Sequence, residues 1–245
     1  MVLIHGVGLR SQAWSRMVPF LEKHFSLILV DLPGHGDSAP FEKQPSLDDY
    51  TDRISQGLSK LEAPAIVVGH SMGALIALDL AFKHPQLVAA VSPLNTVFSR
   101  SSDAEKAVIA RAEEIQANGI SDPAPTLERW FGTDPQDELL SASQDCHDWL
   151  TTVDPVGYAH AYTVFATEDG LQDGELKTIK CPALLITGAD EPNSTPDMSH
   201  AISERLEKGR TIIVKNARHM MPMTHGETVS DHLIEAFAGK GEASA

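Results

Sequence analysis

The stretch Ile66-Val67-Val68-Gly69-His70-Ser71-Met72-Gly73-Ala74-Leu75 sets a serine between two glycines, where a β-branched apolar run meets a helix-forming one. A sharp strand-to-helix turn crowds its neighbours. Glycines two before and two after relieve the clash and lift the hydroxyl clear. The helix opening at Met72 aims unsatisfied N–H groups and its positive end at the same spot, where an oxyanion would be stabilised. One turn thereby supplies a nucleophile and an electrophile. The plainer reading is a helix-capping serine in a glycine-rich turn, and the rest of the chain must decide between the two.

Outward from this seam, short apolar runs alternate with amphipathic stretches of helix length. The runs are Val2-Leu3-Ile4, Leu27 to Val30, Ile66 to Val68, Leu87 to Val91, Ala183 to Thr187 and Thr211 to Val214. Such alternation predicts an α/β fold built on a mainly parallel sheet with crossover helices. Helices are expected at Gln12 to Lys23, Leu47 to Lys60, Met72 to Lys83, Met198 to Lys208 and Thr224 to Ala238. Pro85 stops the third of them at His84. After Pro93 the rhythm breaks, and helical periodicity cut by Asp122-Pro123, Asp134-Pro135 and Asp154-Pro155 runs for about 80 residues. The expected organisation is a core of residues 1–95 and 179–240, a helical cap of residues 96–178 and a disordered tail at 241–245. Trp130, Trp149, Tyr158 and Tyr162 read as the cap's own small core.

The 245 residues suffice for one full hydrophobic core. No apolar run approaches the roughly 20 residues of a spanning helix, and no export signal opens the chain, so the expected address is the cytoplasm. Cys146 and Cys181 match no metal or redox spacing. The formal charge of −15 and the lack of a basic stripe argue against nucleic acid and anionic membranes as partners. Between Thr96 and Thr178, five Lys or Arg face sixteen Asp or Glu, so this stretch carries −11 of that charge.

His5-Gly6-Val7-Gly8 follows the first strand, where a loop can present the Val7 N–H as a second oxyanion donor opposite that of Met72. Asp31-Leu32-Pro33-Gly34-His35-Gly36-Asp37-Ser38 follows the second. Together with Gly69-His70-Ser71-Met72-Gly73, in this order and over nearly the whole length, the sequence resembles the α/β-hydrolase superfamily. The resemblance implies an α/β-hydrolase fold with an inserted helical cap, and a general base in the loop after the last strand, which here is His219. It implies that His35 shapes its loop without acting in catalysis. His225 reads as a surface residue in the first turn of the last helix, His70 as pointing away from substrate, and His5 as supporting its loop by hydrogen bonding. The orienting acid should follow the strand ending at Gly188. Asp190 and Glu191 both qualify, Glu191 favoured by its register three residues after the glycine and Asp190 by residue type. In one respect the sequence departs from the family: relatives usually carry two further strands ahead of the first oxyanion loop, and these N-terminal strands are missing from the sequence. Either the native start lies upstream of Met1, or the sheet is trimmed and Leu27 to Val30 becomes an exposed edge, a route to a homo-oligomer.

A serine nucleophile implies acyl transfer, with Ser71 attacking a carbonyl, His219 relaying the proton and water releasing the acid. Ester, lactone and thioester substrates all fit. No GxGxxG opens the first helix, so no dinucleotide is implied, and no metal or other cofactor is needed. The insertion resembles that of 3-oxoadipate enol-lactone hydrolases at Asn95-Thr96, Leu127-Glu128-Arg129-Trp130-Phe131 and Asp154-Pro155-x-Gly157-Tyr158. That resemblance implies Trp130, Arg129 and Arg100 as substrate-binding residues, the arginines meeting a carboxylate. Two other readings stay open: a C–C bond hydrolase or lyase using the same triad, and a non-catalytic ligand-binding protein of the same fold.

Overall fold

A computed structural model describes residues 1–120 and 122–239; the expected tail at 241–245 and Lys240 lie outside them. In chain order the core begins with β1 (Val2–Ile4), α1 (Val18–Leu21), β2 (Ile28–Val30), α2 (Leu47–Leu58), β3 (Ala65–His70), α3 (Met72–Lys83) and β4 (Val88–Leu94). Helices α4 (Ser102–Asn118), α5 (Ala124–Phe131), α6 (Asp137–Thr152), α7 (Pro155–Thr167) and α8 (Asp173–Leu176) then intervene. The chain resumes with β5 (Ala183–Gly188), α9 (Pro196–Arg205), β6 (Gly209–Val214), α10 (Met221–Thr224) and α11 (Gly226–Phe237).

The six strands form one parallel sheet in the order β2-β1-β3-β4-β5-β6. Period-two alternation sorts the side chains of the inner strands. Val2, Ile4, Val67, Ala183 and Leu185 enter one apolar core with α2, α3 and α9, while Leu3, Val68, Leu184 and Ile186 enter another with α1 and α11. Both faces are therefore covered, as a parallel sheet demands. β2 lies at the sheet edge, with Ile28 42% exposed. Among the described residues no helix is long and apolar enough to cross a membrane.

Several expected elements take a different form. In place of a helix from Gln12 to Lys23, a 3-10 turn at Ser11–Trp14 precedes the one-turn α1. Pro19 explains the break, because a proline lacks the N–H that a helix interior needs and fits only the first turn. The expected helix from Thr224 to Ala238 is α11, which begins at Gly226, and the one-turn α10 precedes it across His225. Gly226 packs so closely on the Arg16 carbonyl that a Cβ there would meet it at 2.9 Å, and the chain resets at this joint. His225 thus stands at a joint between helices and not within a first turn; its Nδ1 lies 2.8 Å from Thr224 Oγ1. β4 continues through Pro93 to Leu94, which carries the strand up to the turn at Ser71.

The inserted helices do not form a closed core of their own. Trp130 and Trp149 pack with Leu9, Ala13, Met220 and Met223 from the sheet domain, and Tyr158 and Tyr162 pack with Val7. These rings seal a seam between insertion and sheet. At another point the seam is backbone against backbone: a Cβ on Gly34 or Gly157 would collide with the other glycine.

Candidate active site

Every residue of interest follows the C-terminal end of a parallel strand, where ligands bind in open α/β sheets. Ser71 follows β3, Asn95 follows β4, Glu191 follows β5, and His219 lies in the loop after β6. Ser71 sits at φ 56, ψ −116, a left-handed backbone that a non-glycine residue adopts only under strain, of order 1–3 kcal/mol. The reason it is held there is local. A Cβ at Gly69 would strike the Gly73 carbonyl, and one at Gly73 would strike the Ile4 carbonyl, so only glycines allow the turn to close. The Ser71 N–H is anchored to the Leu94 carbonyl at 2.9 Å, and the Ser71 carbonyl accepts from Ala74 at 2.9 Å to start α3. The first N–H groups of α3 are left without intrahelical acceptors beside the hydroxyl.

His219 Nδ1 lies 2.6 Å from Glu191 Oε2. Burial alone would raise the Glu191 carboxyl. The His219 imidazole, its hydrogen bond, and the N–H groups of Asn193 (2.8 Å) and Ser194 (3.3 Å) outweigh it and hold the group below its ordinary value. A carboxylate of this kind fixes the imidazole's tautomer and leaves Nε2 for proton transfer. Asp190 is exposed, its N–H bonded to the Ala217 carbonyl at 3.0 Å, and it is Glu191 that the structure brings to His219.

The main chain of His219 is clamped as well. Its carbonyl accepts from His70 Nε2 at 2.8 Å and from Asn95 Nδ2 at 2.7 Å, while Asn95 Oδ1 accepts the Gly188 N–H at 3.1 Å. Asn95 therefore ties together the two loops that carry Glu191 and His219. Sequence reasoning gave Asn95 no such work, and it placed His70 pointing away from substrate. The buried His70 ring lies 4.8 Å from that of His219, and burial pushes its pKa down to about 3, so it stays neutral. The signal for Asn95 was an asparagine at the end of a buried strand, a residue that tolerates the φ of 47 found there.

Above the imidazole lies Trp130, its ring stacked at 5.5 Å and 25°. With this lid in place Ser71 is 7% and His219 8% exposed. The Val7 side chain packs under the same cluster, and its loop follows β1 as expected for the oxyanion turn. The two arginines fare differently. Arg129 is exposed and donates to Thr126 Oγ1 at 3.0 Å. Arg100 must be withdrawn as a partner for a substrate carboxylate, because its guanidinium is already spent. It donates to the carbonyls of Phe165 and Glu168, pairs with Asp169 at 3.3 Å, and lies over the Phe165 ring. It ties the chain leaving the sheet for α4 to the chain returning from α7. Among the described residues no cluster of His, Cys, Asp or Glu is arranged to hold a metal.

Comparison with known proteins places these features in context. The sequence profile of the Alpha/beta hydrolase family matches residues 1–232. The chain is 36% identical over 231 residues to (E)-2-((N-methylformamido)methylene)succinate hydrolase of Acinetobacter baylyi, covering 94% of this chain and 87% of that protein. It is 33% identical over 240 residues to the pimeloyl-[acyl-carrier protein] methyl ester esterase of Aromatoleum aromaticum, covering 93% of each. Among solved structures, the enol-lactonase from Burkholderia xenovorans superimposes with a TM-score of 0.86 at 24% identity, over 97% of this chain and 90% of that one. That last likeness is one of fold.

Proposed function

Because the chain belongs to the alpha/beta hydrolase family and is a hydrolase by its relatives, we propose that it works through a serine acyl-enzyme. Ser71 attacks a carbonyl carbon, and His219 takes the hydroxyl proton and delivers it to the leaving group. Glu191 stabilises the imidazolium, and the Val7 and Met72 N–H groups hold the oxyanion. Water, activated by His219, then releases the acid. The observation that carries the reading is the 2.6 Å Glu191–His219 pair in the loops beside a serine held at φ 56.

The substrate in this reading is a small carboxylic ester, lactone or thioester, and Trp130 contributes to its pocket. The low exposure of Ser71 under Trp130 favours a compact acyl group. One relative is named as the esterase of a methyl ester and another as the hydrolase of a substituted succinate, which supports hydrolysis of a small carboxylic substrate at this site. The net −11 of the inserted stretch weighs against a highly anionic substrate and for a neutral or singly charged one.

The test is a panel of 4-nitrophenyl esters, lactones and thioesters of rising acyl size, run on the wild type and on Ser71→Ala. The variant should fold normally and lose several orders of magnitude in kcat. A fluorophosphonate should label the wild type at Ser71. Retention of more than about a tenth of kcat by Ser71→Ala would remove the serine mechanism.

A further inference from the structure

Two buried histidines take no part in that chemistry, yet their hydrogen bonds are fully determined. His5 Nδ1 lies 2.7 Å from the Gly6 carbonyl, which can only accept, so Nδ1 carries the proton. The Leu32 N–H, which can only donate, lies 3.0 Å from His5 Nε2, so that nitrogen is bare. His35 repeats the pattern with the loops exchanged: its Nδ1 donates to the Pro33 carbonyl at 3.2 Å, and its Nε2 accepts from the Gly8 N–H at 3.0 Å. Each ring donates within its own loop and accepts from the other, and the two ring centres are 5.3 Å apart.

Val7 stands between the two peptide planes that this exchange holds. The plane before it carries the Gly6 carbonyl on one side and the Val7 N–H on the other, because the peptide is trans. The plane after it carries the Gly8 N–H. We propose that His5 and His35 are positioning residues that fix the Val7 N–H as an oxyanion donor, one through each peptide plane flanking Val7. The catalytic consequence rests on the serine-hydrolase reading; the brace itself rests on the hydrogen bonds alone. The His5 bond does more than orient. A proton donated to the Gly6 carbonyl polarises the shared peptide and makes its N–H a stronger donor. The brace works only while both rings are neutral. Burial pushes His5 down to about 3 and His35 to about 4, outweighing the facing carboxylates of Asp31 and, for His35, Asp154. Arg10 acts on His5 in the same direction as burial.

The brace is tested in two ways. In 15N-histidine NMR of the wild type at pH 7, His5 and His35 should both appear as neutral rings protonated on Nδ1. An Nε2-protonated ring at either position overturns the proposal. In kinetics with 4-nitrophenyl acetate, an asparagine places its amide nitrogen where Nδ1 was, and a glutamine places its carbonyl oxygen where Nε2 was. His5→Asn should therefore outperform His5→Gln, whereas His35→Gln should outperform His35→Asn. The weaker member of each pair should lose about tenfold to a hundredfold in kcat with KM nearly unchanged, because an oxyanion donor acts in the transition state. The same ranking at both positions, or a rise in KM at constant kcat, rejects the brace. Equal turnover by wild type and Ser71→Ala would instead reject the serine-hydrolase reading, and the tautomers would still decide the brace.

Discussion

Replacing Glu191 by Gln keeps the side chain's shape and removes the charge that faces His219 Nδ1. The corresponding change in a serine protease triad costs about 10⁴ in kcat. We expect a loss of about a hundredfold or more for Glu191→Gln and less than about tenfold for Asp190→Asn, measured as kcat on the same ester. The opposite order would show that the loop rearranges around Asp190 in the working enzyme. In the sequence these neighbours could not be separated, because a loop has no periodicity to say which side chain turns inward. The structure separates them by a backbone constraint. A Cβ on Gly188 would strike the Ala217 carbonyl, and the Asp190 N–H bonds to that same carbonyl, so the chain turns Asp190 out and Glu191 in. Ser71 was legible for the converse reason: its two glycines are demanded by close backbone contacts, and a contact that only glycine permits leaves a mark in the sequence.

Elements with strong local signals were legible too. The capping box of Ser46 and Asp49 opens α2, and α3 closes at His84 before Pro85. The course of the insertion over the sheet was not legible, because it depends on side-chain and glycine contacts between segments far apart in sequence. The Gly34–Gly157 joint is the tightest of these, and it joins the loop after β2 to the start of α7. Gly157→Ala should cost on the order of 1–3 kcal/mol by overpacking. Hydrogen exchange should speed up in α7 while α3 keeps its protection, since α3 belongs to the sheet's core. Equal acceleration in both helices would mean that insertion and sheet unfold as one unit.

At the scale of the whole molecule, three buried neutral histidines set the response to acid. Folding depresses His5 and His70 to about 3 and His35 to about 4, against about 6.5 when unfolded. Below pH 6.5 the unfolded chain binds protons that the native one refuses, so stability falls with pH until the folded values are reached. Above that pH these groups contribute no slope. The depressed Glu191 adds to the loss at the lower end of the range. Urea unfolding should give a flat stability from pH 7 to 8 and a decline of several kcal/mol toward pH 4.5, each of the three histidines contributing on the order of 1.4 kcal/mol per pH unit below 6.5. Relief of the −15 net charge works the other way, and running the series at high salt removes that term. A stability unchanged between pH 7.5 and 5 would mean that these rings gain protons without unfolding. The parallel sheet itself was legible from alternation, but its strand order was not, since order is set by which crossovers pack and not by any one strand.

The edge strand β2 gives the sheet an open boundary. Ile28 donates inward to the Met1 carbonyl, so by the alternation of a parallel ladder the N–H and carbonyl of Leu29 turn outward. Nothing in the geometry of the ladder ends the pairing at β2: it is three residues long, as is β1, which pairs on both sides, and its outer row of polar groups is open. A boundary of this kind is a template and not a wall: a strand that aligns with it meets the Leu29 N–H and carbonyl ready to pair.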